Sequence, residues 1–400
     1  MKYVRKEAYI AAAVRTPIGK LGGGLKDIPN DDLCATVITE VIRRAEISGE
    51  DIDSVIMGNV ISAGPFINIA RVGLLKAKLP EKVPGLTVNR VCASGLEAIN
   101  LAAQSIMGGH GQVIVAGGVE NLTRSPYILE KFTQPFQRGG QTLIESFGGP
   151  RSAPVNLYGD LTMGETAENV AEVFNISREE QDAFAYESQL RAVRAIDKGF
   201  FTEEIVPVVV PQKKGEPHIV QTDEHPRRDV TLESLARLKP AFRQNGSVTA
   251  GNSSGINDGA AAVVVMSKEA IERYGVTPLG KIVHFTSVGV DPRIMGMGPV
   301  AAIRQLCAET GLKIEDIDLF EVNEAFASQA LACIKELGIP KERINVNGGA
   351  IALGHPLGAS GARLLSTILY ELRRRKKKLG IVSLCIGGGQ GLATLVEAWE

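Results

Sequence analysis

The chain has 400 residues, 44% of them apolar, and a formal net charge of -1 at pH 7. That length exceeds one ordinary core and predicts two or three domains, while the near-neutral balance gives no general attraction to nucleic acid or an anionic membrane. No apolar run approaches the ~20 residues of a transmembrane helix, Met1–Glu7 is basic without an apolar stretch behind it, and five scattered cysteines (34, 92, 307, 333, 385) form neither a disulfide framework nor a zinc spacing, so a reduced, cytoplasmic, metal-free protein is expected.

Glu7–Val14 reads as a buried strand. Asp31 or Asp32 can cap a helix to about Ala45, in which Leu33, Val37, Ile38, Val41 and Ile42 recur at helical spacing. Val55–Met57 reads as a short strand, Asn68–Ala77 as a helix and Gly85–Val88 as extended chain. A helix then runs from Cys92 to about Met107, ahead of a strand, Gln112–Gly118, closed by glycines. This alternation predicts a largely parallel sheet covered on both faces. From about 121 to 246 Pro, Gly and charged residues break the pattern, leaving helices near Thr166–Phe174 and Arg178–Gly199. Such an insertion reads equally as a lid or oligomer arm and as a substrate-binding excursion. The α/β texture returns at Ala260–Met266, with a helix to about Tyr274.

The rest of the chain repeats the beginning. Glu315-Asp316-Ile317-Asp318 echoes Glu50-Asp51-Ile52-Asp53, Val346-Asn347 echoes Val88-Asn89, Ala359-Ser360-Gly361 echoes Ala93-Ser94-Gly95, and Ile381–Leu384 echoes Val113–Ala116. One shift of about 265 residues serves them all, which marks a duplication of whole domains. The predicted units are 1–120 plus 247–275, an inserted 121–246, and 276–400.

The halves differ in chemistry. Cys92 stands at a helix start, where free N–H groups and a partial positive charge favour thiolate, the nucleophilic form. A lone cysteine there also fits a small core residue. His355, in Gly354-His355-Pro356, suits a base with a pKa near neutrality. Cys385 precedes Gly387-Gly388-Gly389 and can serve as a second acid/base, and the Gly387 N–H as an oxyanion donor, each such donor being worth about 3 kcal/mol. Asn323 follows a strand at Phe320–Val322. Taken singly these read as a loop histidine, a core cysteine and a turn asparagine; taken together they point to one site at the carboxyl ends of the strands.

Over essentially its whole length the chain resembles the thiolase family, through Arg15–Gly19, Asn89–Ala98, Gly251–Ala260, the Asn323-Glu324-Ala325-Phe326 motif, and the His355 and Cys385 blocks. The related ketoacyl synthases usually pair their cysteine with two histidines, unlike this chain. The resemblance implies an α/β fold of duplicated βαβ domains in an α/β/α/β/α core, with the inserted loop domain binding CoA. It implies that Cys92 takes the acyl group after giving its proton to His355, and that Cys385 removes the α-proton of acetyl-CoA for a Claisen condensation. One oxyanion site would use His355 and a water held by Asn323; the other would use the N–H groups of Cys92 and Gly387. Met163, Arg227, Leu238 and Ser254 are the implied CoA contacts, helped by basic Lys213, Lys214 and Arg228. CoA is then substrate and product, no cofactor is permanently bound, and the assembly is a homotetramer or homodimer.

Two departures from the pattern bear, in turn, on substrate length and on subunit contacts. Biosynthetic members typically carry histidine where Thr162 stands, and Gly64–Asn68 lacks the usual glutamines. The expected activity is acetyl-CoA C-acetyltransferase; the alternatives are a broader-chain degradative 3-ketoacyl-CoA thiolase, a cysteine-dependent acyl-CoA hydrolase, and a non-catalytic CoA-binding scaffold. The basic run Arg373–Lys378 reads as a solvated helix end rather than a nucleic-acid patch.

Overall fold

The computed structural model describes residues 6–133, 138–149 and 151–399; Met1–Arg5 of the basic start lie outside them. The first half contains β1 (Ala8–Arg15), α1 (Asn30–Arg44), β2 (Ser54–Gly58), α2 (Ile69–Lys76), β3 (Gly85–Val88), α3 (Ser94–Met107) and β4 (Val113–Asn121). The segment that follows carries α4 (Met163–Val173) and α5 (Arg178–Asp197), after which β5 (Asn257–Ser267) and α6 (Lys268–Tyr274) rejoin the first half. The second half runs β6 (Gly280–Gly289), α7 (Gly298–Thr310), β7 (Leu319–Val322), α8 (Ala327–Leu337), α9 (Leu357–Arg375), β8 (Leu379–Ile386) and β9 (Gln390–Ala398).

The duplication is visible in the strand order. The first half reads β1-β5-β4-β2-β3 and the second β6-β9-β8-β7, with an isolated bridge from Phe320 to Ile344 where a fifth strand would stand. The halves join through antiparallel pairing of β1 with β6, Ala8 opposite Ile282 and Ile10 opposite Gly280. In the second half β8 and β9 are linked by the three residues 387–389; in the first, residues 122–256 occupy that same place between β4 and β5.

The sheet is mixed, which corrects the expectation of a largely parallel one. Pairing is parallel for β2 with β3, β2 with β4 and β7 with β8, and antiparallel around β1, β5, β6 and β9. The reason lies in burial. All eleven residues of β5 are buried, and a strand covered on both faces reads as one apolar run whichever way its neighbours point. Direction is set by the connections, which sequence pattern does not show.

Side-chain alternation sorts the core into layers. Tyr9, Val14, Val115, Ala262 and Val264 face α1 and α2 on one side. Ala8, Ile10, Ile114, Ala116, Val263 and Val265 face a central layer of α3 and α9, which also meets Val382 and Leu384 of the second half. Phe320, Ile381 and Leu395 face α7 and α8 beyond. Helix, sheet, helix, sheet and helix thus stack in five layers. A bulge between Ile10 and Ala12 flips the alternation within β1, so that Ala13 joins Ile10 in the central layer. At the end of α9 the basic run is largely engaged: Arg374 and Arg375 bind Glu371, Lys377 binds Asp318 and Lys378 binds Glu397.

Candidate active site

Cys92 sits in the turn before α3, not within it. Val91, a β-branched residue, is held at φ 46°, a conformation that such residues rarely adopt and that costs of order 1–3 kcal/mol. Two side chains hold it there. The Asn89 Oδ1 accepts from the Val91 N–H (2.9 Å), and the Ser94 Oγ donates to the Val91 carbonyl (2.6 Å) while accepting from the Arg90 N–H (2.9 Å). The Cys92 sulfur receives its own N–H and that of Gly387. Burial pushes the thiol up to about 11, the two N–H groups pull it down, and the Glu120 carboxylate adds to the rise. The thiolate-favouring expectation is therefore corrected: desolvation outweighs the helix start, and the resting sulfur is a thiol that needs a base.

His355 follows Gly354, whose φ of 106° turns the chain sharply out of a short helix, Ala350–Leu353. Its N–H is held by Asn257 Oδ1 (3.0 Å), and Asn257 Nδ2 in turn donates to the Gly19 carbonyl (2.9 Å). The ring Nδ1 lies 2.6 Å from Ser360 Oγ, and that hydroxyl donates its single proton to the Pro356 carbonyl (2.8 Å). Ser360 must then accept, so Nδ1 carries the hydrogen and Nε2 keeps its lone pair. Asn323 Nδ2 is 3.3 Å from that Nε2. Burial, with the Arg363 charge behind it, drives the imidazole down to about 3. The near-neutral pKa expected from the sequence is thus corrected to that of an imidazole that rests neutral.

Cys385 ends β8, facing an apolar cluster of Ala167, Val248, Met295, Ala325 and Phe326 with Met163 against it. Burial raises its thiol far above the ordinary value, and a negative charge on the Cys92 sulfur, once it loses its proton, acts on Cys385 across the two halves and raises it further. Gly388 and Gly389, at φ 87° and 81°, make the hairpin turn that presents the Gly387 N–H to Cys92. A Cβ on Gly387 would stand 3.4 Å from the Met163 sulfur. Asn323 is tied to the same strand, its N–H donating to the Ser383 carbonyl at 2.9 Å. The loops meet through Gly358, whose carbonyl lies against Gly95, three residues past Cys92.

Around this centre, residues 8–269 match the thiolase N-terminal domain and residues 276–398 the thiolase C-terminal domain.

The chain belongs to the thiolase family.

It is similar to the probable acetyl-CoA acyltransferase of Staphylococcus aureus (strain COL), with 49% identity over 391 residues that cover 98% of this chain and 99% of that protein. The Staphylococcus epidermidis (strain ATCC 12228) counterpart is equally similar, at 49% over 98% of both chains. Among solved structures, the Bacillus anthracis acetyl-CoA acetyltransferase aligns with a TM-score of 0.95 and 44% identity over 99% of this chain and all of that one. Human mitochondrial 3-ketoacyl-CoA thiolase in complex with CoA aligns with a TM-score of 0.93 and 42% identity over 99% and 98% of the two chains. This thiolase is accordingly an acyltransferase. Among the described residues no helix is long and apolar enough to cross a membrane.

The residues expected to touch CoA fall into two groups in this thiolase. Met163 joins the Cys385 cluster, and the Ser254 N–H donates to the Ala325 carbonyl at 2.9 Å. Leu238 belongs to a separate cluster with Leu235, Ala327 and Ile351, and Arg227 is exposed, its N–H held by Gln189 (2.8 Å). Arg228 is engaged by Asp197. Lys213 and Lys214 sit at the tip of a hairpin whose Val208, Val210 and Val220 pack into the outer α1 layer. Thr162 proves to be a helix cap: its Oγ1 accepts from the Glu165 N–H, and Glu165 accepts from the Thr162 N–H at 2.8 Å. This box starts α4 three residues earlier than its apolar pattern suggests.

Sequence reasoning passed over Ser360, Asn257, Glu120, Met295 and Phe242, the last edge-on to Phe326 at 6.0 Å between centroids. Ser360 was visible within the repeated Ala-Ser-Gly element, but its bond to His355 is not a property of spacing. Asn257 lies within the Gly251–Ala260 block, but its bond to the His355 N–H is likewise not a property of spacing, and the remaining three lie in strand, loop or helix contexts that carry no local signal.

Proposed function

We propose that this thiolase is an acetyl-CoA C-acetyltransferase, joining two acetyl-CoA into acetoacetyl-CoA and CoA and running equally in reverse. The observation that carries it is the convergence of two buried thiols, one from each half and electrostatically coupled, with an imidazole whose Nε2 is left as an acceptor, facing the Asn323 amide. In this reading the Cys92 thiol gives its proton to His355 and attacks acetyl-CoA; the sulfur becomes a thioester, and the CoA thiolate leaves with the proton of Cys385 while His355 keeps that of Cys92. The Cys385 thiolate so formed takes the α-proton of a second acetyl-CoA. The carbanion attacks the acyl-Cys92 carbonyl, the C–S bond breaks, and His355 returns its proton to the Cys92 sulfur. Raised thiol pKa values suit this exchange, because a sulfur that holds protons tightly is a strong base when it loses one.

The two N–H groups converging on the Cys92 sulfur, its own and that of Gly387, support an oxyanion site for the acyl-enzyme carbonyl. Asn323, with His355, supports a second for the enolate. Met163, Leu238, Arg227 and Ser254 are assigned to CoA, which enters as substrate and leaves as product with no permanently bound cofactor. Phe326, Met295 and Met163 around Cys385 favour a short acyl group. Thr162, caught in its capping box rather than presenting an imidazole, favours the second reading, a broader-chain 3-ketoacyl-CoA thiolase. Incubation with acetyl-CoA should add an acetyl mass to the Cys92 peptide, and thiolysis should be faster on C4 than on C8 3-ketoacyl-CoA. Preference for C8 or longer selects the second reading.

A cytoplasmic homotetramer or homodimer completes the reading. Ile67, Tyr127, Leu143 and Leu157 are strongly exposed, which suits an assembly surface; light scattering on the purified protein tests it.

A further inference from the structure

The two catalytic loops cross where glycines replace side chains. A Cβ on Gly58 would overlap the Ser94 backbone, and one on Gly95 or Gly118 would overlap the Gly358 carbonyl oxygen. A Cβ on Gly358 would stand 2.6 Å from the Val119 carbonyl and 3.0 Å from Glu120 Oε2. The first turns of α3 and α9 therefore pack backbone against backbone, with Cys92 three residues before Gly95 and His355 three before Gly358.

Glu120, at the end of β4, is fully buried in this crossing. Its Oε1 accepts from Asn59 Nδ2 (2.9 Å) and the Ile61 N–H (3.1 Å); its Oε2 accepts from the Val60 N–H (2.9 Å) and the Gly358 N–H (3.0 Å). All four partners donate, which favours the ionised carboxylate and opposes the effect of its burial, so that the charge is present above about pH 7. Three of them come from the loop after β2 in the first half. The fourth is the N-terminal N–H of α9, in the second half.

We propose that Glu120 is a positioning residue for this reaction: its carboxylate ties the loop after β2 to the first turn of α9 and so sets where His355 stands relative to Cys92, with its negative charge held within electrostatic reach of the Cys92 sulfur. The inference rests on the proposed roles of Cys92 and His355. Burial and the Glu120 charge both hold the Cys92 thiol up, in keeping with this arrangement.

The test uses the full chain with Glu120→Gln, which keeps the shape, removes the charge and turns an NH₂ group toward N–H donors. Thiolysis of acetoacetyl-CoA should lose about tenfold to hundredfold in kcat, as expected for misplacement by a fraction of an ångström to one ångström, with the KM for CoA within about twofold. Alkylation of Cys92 by iodoacetamide, followed on its peptide by mass, should become several-fold faster at pH 8 and shift its whole profile to lower pH. Glu120→Asp keeps the charge and should keep the parent alkylation profile. Parent kcat in Glu120→Gln, or an alkylation profile that does not move, overturns the proposal. Should that variant fail to fold, Asn59→Ala removes one arm of the cradle and should lower kcat severalfold at constant KM for CoA; an unchanged kcat overturns it equally. A parent that does not turn over at all refutes the reading of Cys92 and His355 instead, and the alkylation comparison still decides on the charge of Glu120.

Discussion

Ser360 Oγ stands 2.6 Å from His355 Nδ1 while handing its own proton to the Pro356 carbonyl. One hydroxyl, five residues along the chain, thereby selects the imidazole tautomer. Ser360→Ala should leave a buried Nδ1–H without a partner, a cost of about 1–3 kcal/mol, and free the ring to rotate or exchange tautomers. A fall in kcat of about tenfold or more is expected, with little change in the KM for CoA. Steady-state thiolysis checks this, and Ser360→Thr, which restores the hydroxyl, should recover part of the loss.

In the proposed mechanism Cys92 and Cys385 take separate steps. Cys92→Ser should give no acetyl-enzyme on incubation with acetyl-CoA. Cys385→Ser should still acylate Cys92 yet slow condensation by a factor of about 10² or more, the usual range for a lost general acid or base. Intact-protein mass spectrometry reads the first step and product assay the second. A Cys385→Ser enzyme condensing at the parent rate would remove that residue from the mechanism.

The pH dependence follows from burial of the imidazole. Folding moves His355 from an ordinary 6.5 to about 3, so the rate of Cys92 acylation should show no acidic limb near pH 6.5. Between pH 3 and 6.5 the unfolded chain binds a proton that the folded chain refuses, so the stability contributed here falls as the pH drops through that window. Glu120 has the opposite sign. Burial raises it to about 7 against its four hydrogen bonds, so its contribution falls as the pH rises from 4.5 to 7. Acylation rates and melting temperatures measured from pH 5 to 8 check both, and a limb at 6.5 would contradict the neutral base.

Gly118 is the tightest point of the crossing, with a Cβ there driven into the Gly358 carbonyl oxygen. Gly118→Ala should destabilise the fold by about 1–3 kcal/mol or more, because the obstacle is backbone and cannot rotate aside. It should also depress turnover by moving α9 against α3. Gly64→Ala, at a glycine with nothing within 4 Å of the added Cβ, is the control and should leave the melting temperature in place.

Much of this molecule is local enough to be written in the chain. The duplication shows because each half repeats Ala-Ser-Gly, Val-Asn and an acidic loop at one offset. The strands and helices show because apolar periodicity belongs to single elements. His355 and Cys385 stand out because glycines and proline bend the backbone beside them, Cys92 because a helix starts just after it, and Asn323 because it follows a strand in the Asn-Glu-Ala-Phe motif. What the tertiary structure alone decided is of another kind. The antiparallel run of β5 depends on how a 135-residue excursion (residues 122–256) returns to the sheet. The high Cys92 thiol and the low His355 imidazole reverse the values that their flanking residues suggest, because desolvation is imposed by everything packed around a group and not by its neighbours in the chain. Ser360, Asn257 and Glu120 acquire their roles by the same route: each is an ordinary polar residue until the fold brings one donor or acceptor of the catalytic loops within 3 Å of it.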